Sequence, residues 1–202
     1  GEDIVATEML FPRNQVITPY CIAAMLAGSV TEVEVYRKPA ILIIPTGGEL
    51  VDVARLKEKP LERGEIMETN SWMLGKMAEQ CGAVFTRHLR VPDDLTQIVN
   101  AIDKGLAEYD LVMLLSGSSA GSEDYALQAM TALGEVEVHG VAMMPGKPMV
   151  MGRLKNTVAV GMPGYPVSAA MVMTEIVQPM LCAMSGLPIP ESTEIEVTPL
   201  RK

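Results

Sequence analysis

The sequence predicts an α/β protein: a three-layer α/β/α sandwich around a mostly parallel sheet, with a small α+β segment in front of it. Three observations predict it. Short apolar runs such as Ala40 to Ile44 and Leu111 to Leu115 read as buried strands. They alternate with longer stretches at helical spacing, the pattern of a parallel sheet covered on both faces. Loops of small residues and prolines follow the strands, at 46–49, 116–124 and 161–166, where ligands of such sheets bind.

Taken in order, the chain opens with two short β-rich pieces, Ile4-Val5-Ala6 and Gln15-Val16-Ile17, split by Pro12-Arg13-Asn14. Thr18 is placed to cap a helix with Pro19 at its first position and Gly28 at its end. Glu32 to Tyr36 alternates like a half-exposed strand. This opening has little core of its own, so residues 1–38 are read as the end of a preceding domain, with Arg37-Lys38-Pro39 as linker. The main domain, 39–187, starts with the strand Ala40 to Ile44. A helix is expected from Asn70 to about Cys81, capped by Asn70 or Ser71, then a strand over Ala83 to Thr86. A second helix runs from Asp93 to Tyr109, with Leu95, Ile98, Val99, Ile102 and Leu106 on one face.

After Leu111 to Leu115 come Ser116 and five small residues, then a helix carrying Tyr125, Leu127, Met130 and Leu133. Strands are expected at Val136 to Val141, Met149 to Met151 and Val158 to Gly161, and a long apolar helix from Pro166 to about Met184, bent near Pro179. Thr193 to Leu200 alternates like a single strand, and 188–202 is read as the start of a further β domain. Met171, Ile176, Met180 and Leu181 exceed what one sheet can cover, which predicts a dimer.

Composition narrows the function. The net charge of −9 disfavours nonspecific nucleic-acid binding, because neutralising phosphates needs basic surface. No apolar run approaches the roughly 18–20 residues that span a bilayer, so no membrane partner is expected. Gly1-Glu2-Asp3 is no secretory signal, and with the charged end Arg201-Lys202 it has the look of an excised piece. Cys21, Cys81 and Cys182 lie apart in apolar helical patterns and read as buried hydrophobes of a reducing, cytoplasmic compartment.

The stretch 116–125 joins a strand, small residues and a helix start. There, unpaired N–H groups and the helix dipole favour an anion; the bland alternative is an ordinary strand-to-helix turn. Glu49 at a strand end is either a solvated acid or a metal ligand. Asp93 and Asp94 precede a helix, and at least one is expected to cap it. Asp124 sits just inside the helix after the small-residue loop, beside the anion site. Lys147, between Gly146 and Pro148, is the candidate anion-binding lysine, with a plain surface lysine as the alternative.

TGGE at 46–49, ETNS at 68–71, DD at 93–94, SGSSAGSEDY at 116–125, PGKP at 145–148 and GMPGYPVSA at 161–169 fall in one order. Together they resemble the molybdopterin molybdenumtransferase family, MoeA in bacteria and the gephyrin E domain in animals. The resemblance implies a dimer that inserts molybdate into adenylylated molybdopterin with Mg2+ and releases AMP. It implies Glu49, Asp93 and Asp124 as acidic site residues, with Glu49 and Asp124 at the metal. It implies a pterin-phosphate cradle of Thr46, Ser116, Gly117, Ser118, Ser119 and Gly121, with Lys147 on an anionic group and Pro163 and Pro166 shaping the cleft. The chain departs from the family pattern: TGDE reads TGGE, so Gly48 removes an acid, DTN reads ETN with Glu68, and Tyr165 replaces the usual Asn. These departures bear on catalysis more than on pterin binding. A noncatalytic molybdopterin-binding sensor or delivery module, and the adenylyltransferase of the same fold, are the alternative functions.

Overall fold

The computed structural model describes residues 4–116 and 124–189. In chain order its elements are α1 (Pro19–Ala27), β1 (Ala40–Pro45), β2 (Leu50–Val51), β3 (Ile66–Met67), α2 (Asn70–Gln80), β4 (Val84–Arg87), α3 (Leu95–Glu108), β5 (Leu111–Leu115), α4 (Tyr125–Leu133), β6 (Glu135–His139), β7 (Val150–Leu154), β8 (Thr157–Met162) and α5 (Pro166–Ser185). Six strands form one sheet in the order β4-β1-β5-β8-β7-β6. The pairs β1–β4, β1–β5 and β5–β8 are parallel, and β7 pairs antiparallel with both β8 and β6.

Alternation along the strands divides the core. Ile41, Ile43, Leu111, Met113 and Leu115 point to the face covered by α2 and α5, with Leu74, Ala78, Val172, Val177 and Leu181. Leu42, Ile44, Val112 and Leu114 point to the other, with Ile98, Ile102, Ala129 and Met130 of α3 and α4. The result is the expected α/β/α sandwich. Both central strands are buried along nearly their whole length, which is why they contain no polar residue.

Several expectations are corrected. Ile4-Val5-Ala6, Gln15-Val16-Ile17 and Glu32 to Tyr36 are not strands; α1 is the one regular element among the described residues before β1. Thr7, Asn14 and Ser29 take positive φ (76, 64 and 63°), which breaks the extended runs, and no sheet edge runs beside them to supply ladder bonds. Thr18 does cap α1, its hydroxyl accepting from the Cys21 N–H. The cap of α2 is neither Asn70 nor Ser71: the Glu68 carboxylate accepts from the Ser71 N–H at 2.8 Å. α3 starts at Leu95 because Asp94 takes the capping position, accepting from the Gln97 N–H. β6 stops at His139, where Gly140 turns the chain at φ +80°. Leu181 is fully buried in the core and is not surplus apolar surface. The expected strand at 193–200 lies outside the described residues.

α5 is long and apolar enough, by length and composition, to cross a membrane, contrary to the reading of the sequence. Its buried side, Ala169, Val172, Met173, Val177, Leu181 and Cys182, is part of the core. Just before Pro179 the stretch Met173–Val177 winds as a π-helix, and the Gln178 N–H reaches Met173 O. A widened turn of this kind rearranges the hydrogen-bond ladder next to a residue that has no N–H to give. All three cysteines are buried and free, and burial together with the neighbouring Cys182 pushes the Cys81 thiol up to about 11.

Arg37 ties the segment before β1 to the start of β5. Its guanidinium donates two 2.6 Å hydrogen bonds to Asp110, whose carboxylate also accepts from the Ala40 N–H at 2.7 Å. The Arg37 hydrogen bonds, reinforced by Ala40, hold the Asp110 carboxyl below its ordinary value. A depressed folded pKa gives stability that is present above the unfolded value, roughly 3.9, and lost as pH falls through the folded one. Arg37 is largely exposed, so solvent screens much of the pair. Asp110→Asn is expected to lower stability by about 1 kcal/mol at neutral pH, with the gap to the parent closing below about pH 4. Denaturant melts at several pH values check this; a gap that persists into acid would contradict it.

Candidate functional site

The loops that follow β1, β5 and β8 meet at the carboxyl edge of the sheet. Between them lies a small pocket of about 120 Å³, lined among others by Thr46, Glu49, Glu68, Asn70, Leu115, Ser116, Gly164 and Pro166. Its outer wall is the two-stranded parallel ribbon β2–β3, which the sequence reading missed because each strand has only two residues. Thr46 is buried, and both its N–H and its hydroxyl donate to Leu115 O, at 2.8 and 3.0 Å. Its donors are therefore spent splicing the ends of β1 and β5.

The TGGE loop is held from two sides. Arg90 donates to Gly47 O and Gly48 O at 2.9 and 3.0 Å, while Asp93 accepts from the Gly48 N–H at 3.2 Å. Gly47 has φ +138°, and a Cβ there would stand 2.9 Å from the Glu49 carboxylate, so this position requires glycine. At Gly48 a Cβ would meet nothing. The acid absent from Gly48 is thus missing for no steric reason.

Under the ribbon sits a buried polar cluster. Glu68 is 4% exposed, and its carboxylate accepts from the Ser71 N–H, the Ser71 hydroxyl and, at 3.0 Å, Arg87. Arg87 also donates to Ser71 Oγ and Asp52 and stacks on the Trp72 ring, 4.2 Å from its centre. Hydrogen bonds from the Ala54 N–H and Arg87 hold the Asp52 carboxyl below its ordinary value. Next to this cluster, Asn70 donates from Nδ2 to Gly164 O at 2.7 Å, which joins α2 to the loop before α5.

Of the residues singled out from the sequence, Thr46, Glu49, Ser116 and Pro166 line this pocket. Asp93 touches its wall through Gly48. Pro163 does not line it. Asp124 stands apart as the N-cap of α4, accepting from the Leu127 N–H at 3.0 Å, with His139 3.6 Å away. It is the cap itself and not a residue inside the helix. Lys147 is exposed on the loop after β6, two strands beyond β8, and does not line the pocket; that loop opens on the same sheet edge. Gly117, Ser118, Ser119 and Gly121 lie outside the described residues. Among the described residues no group of three or more His, Cys, Asp and Glu side chains could hold a metal ion. Glu49 alone does not make a magnesium site. Arg87 and Arg90 were missed from the sequence, and Asn70 was marked only as a helix cap and as part of ETNS. Only the polar end of the β4 pattern, VFTR, hinted at one of them.

A mostly parallel α/β/α sheet with its pocket at the carboxyl ends of the strands defines a ligand-binding domain of the doubly wound class. The chain belongs to the family described as "Probable molybdopterin binding domain", which matches residues 42–183. It is 29% identical over 186 residues to the molybdopterin molybdenumtransferase of Haemophilus influenzae, covering 92% of this chain and 45% of that one. With molybdopterin molybdenumtransferase 2 of Mycobacterium tuberculosis the identity is 32% over 196 residues, covering 94% and 47%. The solved molybdopterin biosynthesis moeA protein of Pyrococcus horikoshii superposes with a TM-score of 0.78 at 29% identity, over 88% of this chain and 43% of that one. The chain thus spans under half the length of these relatives. The tungsten cofactor synthesizing protein MoaB of Pyrococcus furiosus, at 12% identity and TM-score 0.55, shares the fold.

Proposed function

We propose that this chain is the molybdopterin-binding portion of a molybdopterin molybdenumtransferase, acting in molybdenum cofactor biosynthesis. The observation that supports it is the convergence of three family-like motifs, TGGE, ETNS and the loop before α5, with Ser116 on one pocket at the carboxyl edge of the sheet. In this reading the pocket and the neighbouring loops hold molybdopterin or its adenylylated form. Residues 1–38 end a preceding domain, 188–202 begin a β domain, and the whole enzyme works as a cytoplasmic homodimer that inserts molybdate and releases AMP. Asp124 and Lys147 belong to the anion-binding end, on the same edge as Ser116. Magnesium would assist charge neutralisation at the phosphates, but the described donors do not form its site.

A second reading, a noncatalytic molybdopterin-binding sensor or delivery module, draws on the loss of an acid at Gly48 and on the absence of a metal cluster among the described residues. One titration separates the two. Molybdopterin and adenylylated molybdopterin are added to the chain, with and without magnesium and molybdate, while binding and AMP are measured. Saturable binding of both forms is expected. Molybdate-dependent AMP release supports the transferase, whereas binding without release supports the module. No binding of either form would sink both.

A further inference from the structure

The turn inside TGGE is made of two glycines, and its own segment does little to hold it. Gly47 and Gly48 have no side chains, and glycine has the widest backbone freedom of any residue. Gly47 stands at φ +138°, and a Cβ on Gly48 would meet no atom within 4 Å. The segment itself supplies one long hydrogen bond, from the Leu50 N–H to Gly47 O at 3.4 Å. Thr46 before the turn and Glu49 after it both line the carboxyl-edge pocket, so the shape of the turn bears directly on that pocket.

Such a pair of residues keeps one conformation only if its N–H and C=O groups are tied from outside. The ties come from residues 90–93, just beyond β4. Val91 bridges Thr46 in parallel, its N–H donates to Pro45 O at 2.9 Å, and its carbonyl accepts from the Gly47 N–H at 3.2 Å. On one side of Val91, a single Arg90 nitrogen donates to both Gly47 O and Gly48 O. On the other, the Asp93 carboxylate accepts from the Gly48 N–H. All four backbone polar groups of the two glycines are thus bound, and two side chains make three of those bonds. The neighbouring acids divide their work: Asp94 caps α3, whereas Asp93 reaches the turn.

We propose that Asp93 and Arg90 are positioning residues that fix the Gly47–Gly48 turn for ligand binding, and that Asp93 acts as a hydrogen-bond acceptor and not as a charged acid of the reaction. This rests on the reading of the chain as a molybdopterin-binding domain. The Gly48 N–H needs only a lone pair, which an amide oxygen offers as well as a carboxylate does. Both side chains are exposed, so removing either leaves no buried charge unpaired and costs little stability. What is lost is the restriction on two glycines. Ordering them anew when a ligand binds lowers its affinity.

Substitutions at the two positions test it, each read by titration with molybdopterin and by urea unfolding. Asp93→Ala should weaken binding about threefold to tenfold, the range for one ordinary hydrogen bond. Arg90→Ala should weaken it at least as much, since both carbonyl contacts go. Asp93→Asn keeps an oxygen for the Gly48 N–H and should bind within about twofold of the parent. The urea midpoints of all three should stay close to the parent's, whereas a merely structural brace would shift the midpoints and leave affinity alone. Three results would each overturn the assignment: Asp93→Asn binding as weakly as Asp93→Ala, unchanged affinity in either alanine variant, or a loss of affinity that tracks a loss of stability. If the parent binds molybdopterin and the alanine variants bind it as tightly, the proposed function stands and only this brace falls. If the parent binds none, both fall together.

Discussion

Arg87→Ala is expected to lower the stability of the domain by about 3–5 kcal/mol, the cost of leaving one partner of a buried ion pair alone. Arg87 stands at the end of β4 with a side chain only 16% exposed, and Glu68 beneath it is 4% exposed. With the guanidinium gone, Glu68 keeps the Ser71 N–H and hydroxyl but has no opposite charge to offset its burial. The Trp72 ring loses its stacked cation at the same time. Arg87→Lys should recover only part of the loss, because an ammonium cannot reach Ser71, Glu68 and Asp52 as one planar fork. Combining Arg87→Ala with Glu68→Leu should cost less than the sum of the single changes, since the orphaned charge is then removed. Urea unfolding of these variants and of Glu68→Leu alone gives the answer, and a loss below about 1 kcal/mol for Arg87→Ala would show that water reaches Glu68 freely.

Gly152→Ala should be nearly as damaging, at about 3 kcal/mol, the upper end of ordinary overpacking costs. A Cβ on Gly152 would stand 2.2 Å from Glu135 O and 3.0 Å from the Val136 Cα, both backbone atoms of the neighbouring strand. The ladder between β6 and β7 is irregular at this point, shifting between Val136 and Val138, so β6 lies unusually close. Relief requires β6 to move away from the sheet. Gly75→Ala makes a useful contrast, because the obstacle there is the Phe85 ring, also at 2.2 Å, and a side chain can turn aside. Equilibrium unfolding should therefore rank Gly152→Ala as the more destabilised. A change within about 0.5 kcal/mol of the parent would mean that β6 is not held where the structure puts it.

Periodicity and chain punctuation by themselves determined the class of fold and most element positions. β1 and β5 were legible because a strand buried on both faces must be a continuous apolar run, and Ala40 to Ile44 and Leu111 to Leu115 are such runs. Thr18 and Asp94 were legible as cap candidates, because a short side-chain oxygen ahead of an apolar-periodic stretch satisfies orphan N–H groups locally. The order of loops that make the carboxyl-edge pocket followed from the same alternation. Tertiary structure alone decided the rest. The residues at 4–6, 15–17 and 32–36 have strand-like composition but no sheet edge to pair with, and a strand is stabilised by its partner. Glu68 meets Arg87 across 19 positions, and Asn70 meets Gly164 across 94. No local pattern can announce a hydrogen bond between residues that only folding brings together. That is why the sequence marked Glu49, Ser116 and Pro166 for the site, while the Arg87–Glu68 pair and the Asn70–Gly164 bond that brace it became visible only in the fold.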